Sequence, residues 1–353
     1  MKSKYILIIL AGLITLVSCK EQLEIKPSKT LAVPETLEDL QAILNNTNIM
    51  TPSWPYAVQA ASDDGYVSFE DWNVASLTEK NPYIWEQDVF HDYAQNDWSL
   101  PYTAVFYANV VLEGVEEHMP AADPAVWLDV KGQALFYRAY AFYHLAQVFA
   151  RPYLAATAGS DPGIPLRLSA DLNEKSTRAS VEATYEQILE DLKASLGLLN
   201  TANTYKTRPS KAAGYGMLAR VYLSMENYGQ AGLYADSCLQ MNGQLLDYNQ
   251  LDSTAYSPLP RFNKEVIFHS SLFPVGLLLP EMYRVEPELY ELYGENDLRR
   301  PMFYKKGENV DDYFFYGSYD GSVIQFNGLA TDEMYLIKAE CFAGQNRKED
   351  AMA

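Results

Sequence analysis

Aromatic rings and short polar side chains are interspersed in two segments of the chain, a combination that suits binding of a ligand rich in hydroxyl groups. In the first segment, residues 63–90, the candidate binding residues are Trp72, Tyr83, Trp85, Asp63, Asp64 and Asn73. Faces of Trp and Tyr rings pack against apolar C–H patches, and Asp and Asn form hydrogen bonds with hydroxyl groups. We therefore predict that the three rings stack on a ligand and the three polar side chains bind its polar groups. The alternative is that two of the three rings fill the protein core.

A second aromatic segment, residues 313–319, contains Tyr316 and Tyr319. We expect these two rings to lie on a loop that faces the first segment across the ligand. Aromatic residues make up 13% of the chain, including 27 tyrosines. This content is compatible with recognition of carbohydrates or peptides, and equally with an ordinary core.

Motifs for catalysis or metal binding are not found in the sequence. The four histidines and three cysteines do not have the spacings of zinc sites, and a nucleophile elbow and a Walker loop are lacking. The pairs Asp63–Asp64 and Asp311–Asp312 do not follow the EF-hand calcium pattern. We therefore predict that the protein is not an enzyme and has no cofactor and no bound metal, although so acidic a chain leaves a glycosidase carboxylate pair as an open alternative.

The N-terminal residues have the pattern of a lipoprotein signal peptide. Lys2 and Lys4 precede an apolar run of 13 residues, Tyr5–Val17, which is shorter than the about 20 residues needed to span a bilayer. Leu16–Cys19 then matches a lipobox, in which the cysteine thiol receives a lipid such as a palmitoylated glyceride. We predict a signal peptide over residues 1–18, lipidation at Cys19 and a tether over 19–35. The alternative is an ordinary signal peptide with a chance cysteine.

The charge of the chain limits its partners. The formal net charge is −19, which repels phosphate backbones and anionic head groups, so we expect no nucleic acid and assign membrane attachment to the lipid alone. Cys238 and Cys341 lie at small-residue positions of helical patterns. We predict two buried free thiols there; a disulfide between them is the alternative.

Helical spacing of apolar residues predicts four helices before residue 200. They run from Thr36 to about Asn45, from Trp98 to about His118, from Asp123 to Phe149 and from Ser180 to Leu199. In the third, Asp123 is the predicted N-cap and Pro124 the first helical residue. Residues 52–82 interrupt this pattern, so we predict loops there. Arg138 lies in an otherwise apolar helix, which predicts a buried ion pair or a clamp on carbonyl groups; a ligand contact is the alternative.

An internal repeat relates residues 219–231 to residues 339–351. Each copy has a small residue, an aromatic residue three positions after it and an alanine twelve positions after it. This is the pattern of a tetratricopeptide helix pair. We predict such pairs near 209–242 and 333–353, separated by a loop-rich insertion over 244–330. Because the second pair would be cut within its second helix, we expect the natural protein to continue beyond residue 353.

Several segments, in order along nearly the whole chain, resemble the SusD/RagB-like nutrient-binding lipoproteins of the Bacteroidetes outer membrane. They are the lipobox at Cys19, Leu23–Pro27, Pro101–Leu112, Gly132–Leu145, Gly163–Leu166, Thr177–Leu192, Ala212–Tyr222 and Glu333–Glu340. The resemblance implies a mainly α-helical, tetratricopeptide-like scaffold for residues 36–353, with the insertion contributing to a ligand-binding face. It also implies a partner, a TonB-dependent, SusC-like outer-membrane transporter.

We therefore expect a lipid-anchored outer-membrane protein, exposed at the cell surface, that binds oligosaccharides or polysaccharides and delivers them to the transporter. Two alternatives remain at this point. A lipoprotein of the same architecture would bind oligopeptides, or the helix pairs would form a scaffold that binds only proteins. The long aromatic insertion argues against a pure scaffold, because such a protein would stack its repeats directly.

Overall fold

The computed structural model describes residues 34–51, 54–90, 95–120, 124–272, 276–309 and 312–352. The predicted signal peptide, the lipidation site Cys19 and most of the tether therefore lie outside the described residues, as do Asp123 and Asp311. The helices are α1 Leu37–Asn45, α2 Thr47–Met50, α3 Tyr56–Ala60, α4 Phe69–Val74, α5 Leu77–Tyr83, α6 Ser99–His118, α7 Ala125–Phe149, α8 Val181–Leu196, α9 Lys211–Ser224, α10 Tyr228–Met241, α11 Pro287–Glu291, α12 Arg299–Phe303, α13 Thr331–Gly344 and α14 Lys348–Met352. The strands are β1 Gly65–Tyr66, β2 Pro162–Pro165, β3 Arg178–Ser180, β4 Val266–Phe268, β5 Ser271–Leu272, β6 Arg284–Val285, β7 Tyr304–Lys306, β8 Tyr313–Phe315, β9 Gln325–Phe326 and β10 Leu329–Ala330.

Helix α7 is the centre of the core. Nearly all side chains from Val130 to Ala146 are buried, because α6 and α8 pack against it. A helix that is apolar on all sides is stable only when it is enclosed in this way. The four predicted helices are confirmed, with two corrections at their ends. Helix α7 begins at Ala125 and Pro124 occupies the N-cap, a shift of one residue that is common at helix ends. Helix α8 ends at Leu196 and not at Leu199.

A buried ion pair joins the three central helices. Arg138 on α7 donates two hydrogen bonds of 2.7 Å to Asp191 on α8 and one of 2.9 Å to Oδ1 of Asn109 on α6. The side chains of Arg138 and Asp191 are only 10% and 3% exposed. This geometry confirms the predicted ion pair and assigns the arginine to the scaffold.

The helix pair α9–α10 packs against α13, and α14 follows after a short turn. The rings of Tyr222 and Tyr234 stack between α9 and α10 with centroids 5.5 Å apart. Cys238 on α10 and Cys341 on α13 are free and buried, as predicted. The scaffold is therefore mainly α-helical and tetratricopeptide-like.

The prediction of loops over residues 52–82 is wrong, because this region contains α3, α4 and α5. Each is five to seven residues long, too short to show a clear helical period. The starts of α4 and α5 are fixed by capping instead: Ser68 accepts a hydrogen bond from the backbone N–H of Asp71, and Ser76 forms a capping box with Glu79. Helix α3 begins where the backbone N–H groups of Tyr56 and Ala57 donate to the Asp97 carboxylate.

A short antiparallel strand pair joins the insertion to residues 65–66. One sheet has the order β1-β6-β8-β7, and β10 pairs with β4. Gly65 in β1 lies opposite Val285 in β6. A Cβ atom at Gly65 would lie 2.4 Å from the Tyr283 ring and 2.6 Å from the carbonyl oxygen of Arg284, so this approach requires glycine. The pairing brings residues 63–66 next to the insertion.

We expect Asp191→Ala to lower the free energy of unfolding by about 3 to 5 kcal/mol, because it leaves a buried guanidinium without its partner. Urea denaturation followed by circular dichroism measures this change. The matched control is Arg151→Ala, which breaks an ion pair whose arginine is 75% exposed and should cost less than about 1 kcal/mol. Equal losses in the two variants would contradict the scaffold role of Arg138.

Candidate ligand-binding cavity

An open cavity of about 570 Å³ lies where the insertion meets helices α9 and α13. Its volume falls within the range of about 300 to 1,000 Å³ that is typical of ligand pockets. It is lined by Gln59, Asp64, Arg220, Tyr283, Val285, Leu289, Tyr293, Phe303, Tyr304, Phe315, Gly317, Ser318, Tyr319, Gln325, Phe326, Asn327, Gly328, Ala330, Asp332 and Glu333. Aromatic rings and hydrogen-bonding side chains thus share one concave surface.

Arg220 links the scaffold to the insertion at this surface. Its Nε and Nη2 atoms donate hydrogen bonds of 2.6 and 2.7 Å to the two carboxylate oxygens of Glu333, and Nη2 donates a third to the carbonyl oxygen of Gly328 at 2.6 Å. Burial alone would lower the pKa of Arg220, but the charge and hydrogen bonds of Glu333 outweigh it, and the pKa lies above its usual value. The guanidinium is therefore held in place before any ligand binds.

The side chains of Tyr319, Glu265 and Asp332 form a second polar cluster. The Tyr319 hydroxyl donates a hydrogen bond to Oε2 of Glu265, and the backbone N–H of Leu246 donates to Oε1 of the same carboxylate. Burial and the charge of Asp332 raise the pKa of Tyr319, so its hydroxyl remains a donor. Burial, followed by the charge of Glu265, raises the pKa of Asp332, although the backbone N–H of Glu333 acts in the opposite direction.

Asp64 contributes to the lining from the segment just before β1, which pairs with β6 of the insertion. Its Oδ1 accepts hydrogen bonds from the hydroxyls of Tyr283 at 2.7 Å and Ser62 at 2.6 Å, and its Oδ2 accepts one from the Gln59 amide at 3.2 Å. These bonds orient the carboxylate, and they leave lone pairs for a ligand because each carboxylate offers about four acceptor positions.

The aromatic part of the lining is built from contacting rings. Tyr304 contacts Tyr293 with a centroid distance of 5.3 Å and Phe315 at 6.1 Å, and Phe303 lies 6.1 Å from Phe315. Tilted and edge-to-face contacts of this kind fix ring orientation. The rings therefore present a preformed apolar surface.

Of the eight predicted ligand-binding residues, Asp64 and Tyr319 contribute to this cavity. They come from the two segments that were expected to face each other. Tyr316 lies outside the lining, where its ring contacts Tyr256 at 5.2 Å and Lys305 lies over it at 5.2 Å.

The remaining five predicted residues lie outside the cavity lining, Asp63 just before β1 and the other four in or next to α4 and α5. Trp72 is half-buried between Phe69 and Lys80, and the Tyr83 hydroxyl accepts a hydrogen bond from the backbone N–H of Val67. The side chains of Asp63, Asn73 and Trp85 are exposed. The Trp85 side chain is 78% exposed on a backbone with a φ of 57°.

Most of the cavity lining was not found from the sequence. Arg220 did carry a signal, since it is a charged residue between the small or apolar residues Ala219 and Val221 of a helix. Glu333 follows the charged residue Asp332 and carried no such signal. The rings of Tyr283, Tyr293 and Tyr304 had none, because tyrosines are spread over the whole insertion.

A second cavity of about 600 Å³ lies between α6 and residues 165–176. Its polar groups are used within the protein: the Tyr102 hydroxyl donates to the carbonyl oxygen of Pro165, and Arg167 donates to the carbonyl oxygens of Asp171 and Glu174. Because these polar groups already bind partners within the protein, the second cavity is a weaker candidate than the first for binding a ligand rich in hydroxyl groups.

Residues 20–223 match the sequence model of the SusD-like family described as starch-binding and associating with the outer membrane. This match covers more than half of the chain. The chain belongs to the SusD-like family. No curated protein sequence is significantly similar to it. Among the described helices, none is both long and apolar enough to cross a bilayer.

Solved structures of SusD-like proteins share the fold. A SusD superfamily protein from Bacteroides vulgatus is 20% identical with a TM-score of 0.74, covering 90% of this chain and 79% of that one. A SusD-like carbohydrate-binding protein from the same species is 18% identical with a TM-score of 0.68, covering 90% and 73%. A laminarin-binding SusD-like protein is 16% identical with a TM-score of 0.65, covering 89% and 82%.

The raised pKa of Asp332 predicts a pH-dependent effect on stability. Below its usual pKa of 3.8 the carboxyl is protonated in both the folded and unfolded states; as the pH rises through the folded-state pKa, its contribution to stability is lost. Because Asp332→Asn cannot ionise, we expect the variant to gain stability relative to the unmodified protein as the pH rises from about 4. Urea unfolding of both proteins over this range tests the sign, and a difference that is constant with pH would contradict it.

Proposed function

We propose that the protein binds oligosaccharides in the cavity between the insertion and helices α9 and α13, and delivers them to a TonB-dependent, SusC-like outer-membrane transporter. The observation that carries this proposal is the lining itself, in which oriented carboxylate, amide and phenol groups alternate with preformed ring surfaces. The description of the family and the names of the carbohydrate-binding and laminarin-binding neighbours support it.

Each part of the lining has a role in this proposal. The rings of Tyr293 and Phe315 pack against the C–H faces of sugar rings, while Asp64 and Asp332 accept hydrogen bonds from sugar hydroxyls. Gln325 can both donate and accept. Since Arg220 and Glu333 already bind each other through two hydrogen bonds, we assign them to shaping the cavity.

We assign Trp85 to a contact outside the cavity with longer glycan chains. Its ring is 78% exposed, so its face is accessible to a sugar ring without rearrangement. The positive φ of 57° is unfavourable for a residue with a bulky side chain and is found mostly where the surrounding structure enforces it. The surrounding fold thus presents this ring to solvent at an energetic cost.

We propose binding without catalysis. Acid–base cleavage of a glycosidic bond needs two carboxyl groups free to exchange protons with the substrate. Of the three carboxylates in the described lining, Glu333 is held by two hydrogen bonds from Arg220, and Asp64 is held by three from Tyr283, Ser62 and Gln59. The described lining therefore lacks two carboxyl groups that are both free of structural bonds.

Binding to polysaccharides tests the cavity. The full-length protein, purified in a non-ionic detergent, would be run on native gels containing starch, laminarin, xylan, mannan, polygalacturonate or chondroitin sulfate. We expect retardation by at least one glycan and weakening of its affinity by about tenfold in Tyr293→Ala and Gln325→Ala, the loss usual for central contact residues. Trp85→Ala should reduce retardation by the long polymer.

The matched control is Tyr205→Ala, which removes a tyrosine that is 59% exposed and lies outside the lining. Retardation that is unaffected by the cavity variants would place the site elsewhere. If none of the glycans retards the protein, carbohydrate binding is contradicted, and the same variants would be titrated with a mixed oligopeptide library.

Cys19→Ser tests the proposed membrane anchor. In cells grown with radioactive palmitate, we expect the unmodified protein to carry the label and remain in the membrane fraction, and Cys19→Ser to lose both properties because its thiol is missing. Cys238→Ser is the matched control, since that thiol is buried and should not affect labelling. Labelled Cys19→Ser would rule out the assignment of Cys19.

A further inference from the structure

Acidic side chains outnumber basic ones in the cavity lining. Among the described residues, the lining contains the carboxylates of Asp64, Asp332 and Glu333 and one cationic side chain, Arg220. The whole chain has a formal net charge of −19, so the surrounding field has the same sign as the lining.

The single arginine of the lining is not available to an anionic ligand. Both carboxylate oxygens of Glu333 and the carbonyl oxygen of Gly328 accept its hydrogen bonds. A ligand carboxylate or sulfate that bound Arg220 would have to displace Glu333 and leave that carboxylate without its partner, which is costly in a partly buried site.

Arginines near the aromatic wall are also engaged with carboxylates. Arg284 binds Asp71 at 3.1 Å and lies 3.4 Å from Asp312. Arg299, whose guanidinium lies over the Tyr293 ring, binds Asp297 at 2.6 Å. These arginines therefore add little positive potential to the cavity.

We propose that the cavity selects uncharged glycans and excludes glycans that carry uronate carboxylates or sulfate esters; this inference rests on the proposed function of the same cavity. Sugar hydroxyls donate to Asp64 and Asp332 in charge-assisted hydrogen bonds. A carboxylate in place of a hydroxymethyl group would instead face these two oxygens with a like charge and without a donor. Exclusion thus follows from the same groups that bind the neutral sugar.

The test compares one glycan in two charge states. The neutral polysaccharide that retards the protein most strongly is cut to hexasaccharides, and half of the material is oxidised so that primary alcohols become carboxylates. Isothermal titration at low salt should give an affinity at least about tenfold weaker for the oxidised form. The deficit should shrink in about 0.5 M sodium chloride, because salt screens the repulsion.

Asp64→Asn and Asp332→Asn identify the groups responsible. Each substitution keeps the shape and removes one negative charge, so we expect the ratio of oxidised to neutral dissociation constants to fall by several-fold. Glu186→Gln, which removes an exposed charge on α8, is the control and should leave this ratio unchanged. A ratio that responds equally to all three substitutions would attribute the effect to net charge and overturn the assignment to the cavity.

The outcomes separate this inference from the function on which it rests. Equal or tighter binding of the oxidised glycan, or gel retardation by polygalacturonate or chondroitin sulfate alone, would overturn the selectivity while leaving glycan binding intact. Retardation by none of the polysaccharides would overturn both.

Discussion

The contact between Arg220 and Glu333 is the constraint on which the cavity depends. The two residues are 113 positions apart, and the whole insertion lies between them. The Arg220 side chain is only 18% exposed, and a guanidinium removed from water in this way is stable only when its donors are satisfied. Glu333 and the carbonyl group of Gly328 must therefore lie in fixed positions. The short strands β9 and β10 and the start of α13 are thereby held against α9. The same contact that closes the fold forms one wall of the cavity.

The sequence predicted those elements whose stability comes from regular burial. Helices α6, α7 and α8 repeat apolar residues at helical spacing over at least four turns, and the buried pair of Arg138 with Asp191 follows from a charge within such a pattern. The region of α3 to α5 was missed because its helices are fixed by single caps in α4 and α5, by the Asp97 carboxylate at the start of α3, and by packing of a few side chains. No period develops over five to seven residues.

The site was predicted less well than the fold, for a related reason. Its residues converge from separate segments, so local pattern gives their type but not their position. Trp72 and Trp85 illustrate this difference: both are tryptophans in the same aromatic segment, yet Trp72 packs against Phe69 and Lys80, whereas Trp85 is turned outwards where α5 ends. Asp64 reaches the cavity because Gly65 permits strand β1 to approach Tyr283 closely, a three-dimensional constraint that spacing alone does not show.

An acidic cavity and a polyhydroxylated ligand are compatible because hydroxyl groups need acceptors more than they need opposite charge. Carboxylates such as that of Asp64 arrive already oriented by Tyr283 and Ser62, so little rotational freedom is lost when a ligand binds. The individual contacts remain moderate, since each replaces a bond to water. A site built from several preformed contacts of moderate strength binds specifically without a very slow dissociation rate. That property suits a protein whose proposed role ends in releasing its ligand to a transporter.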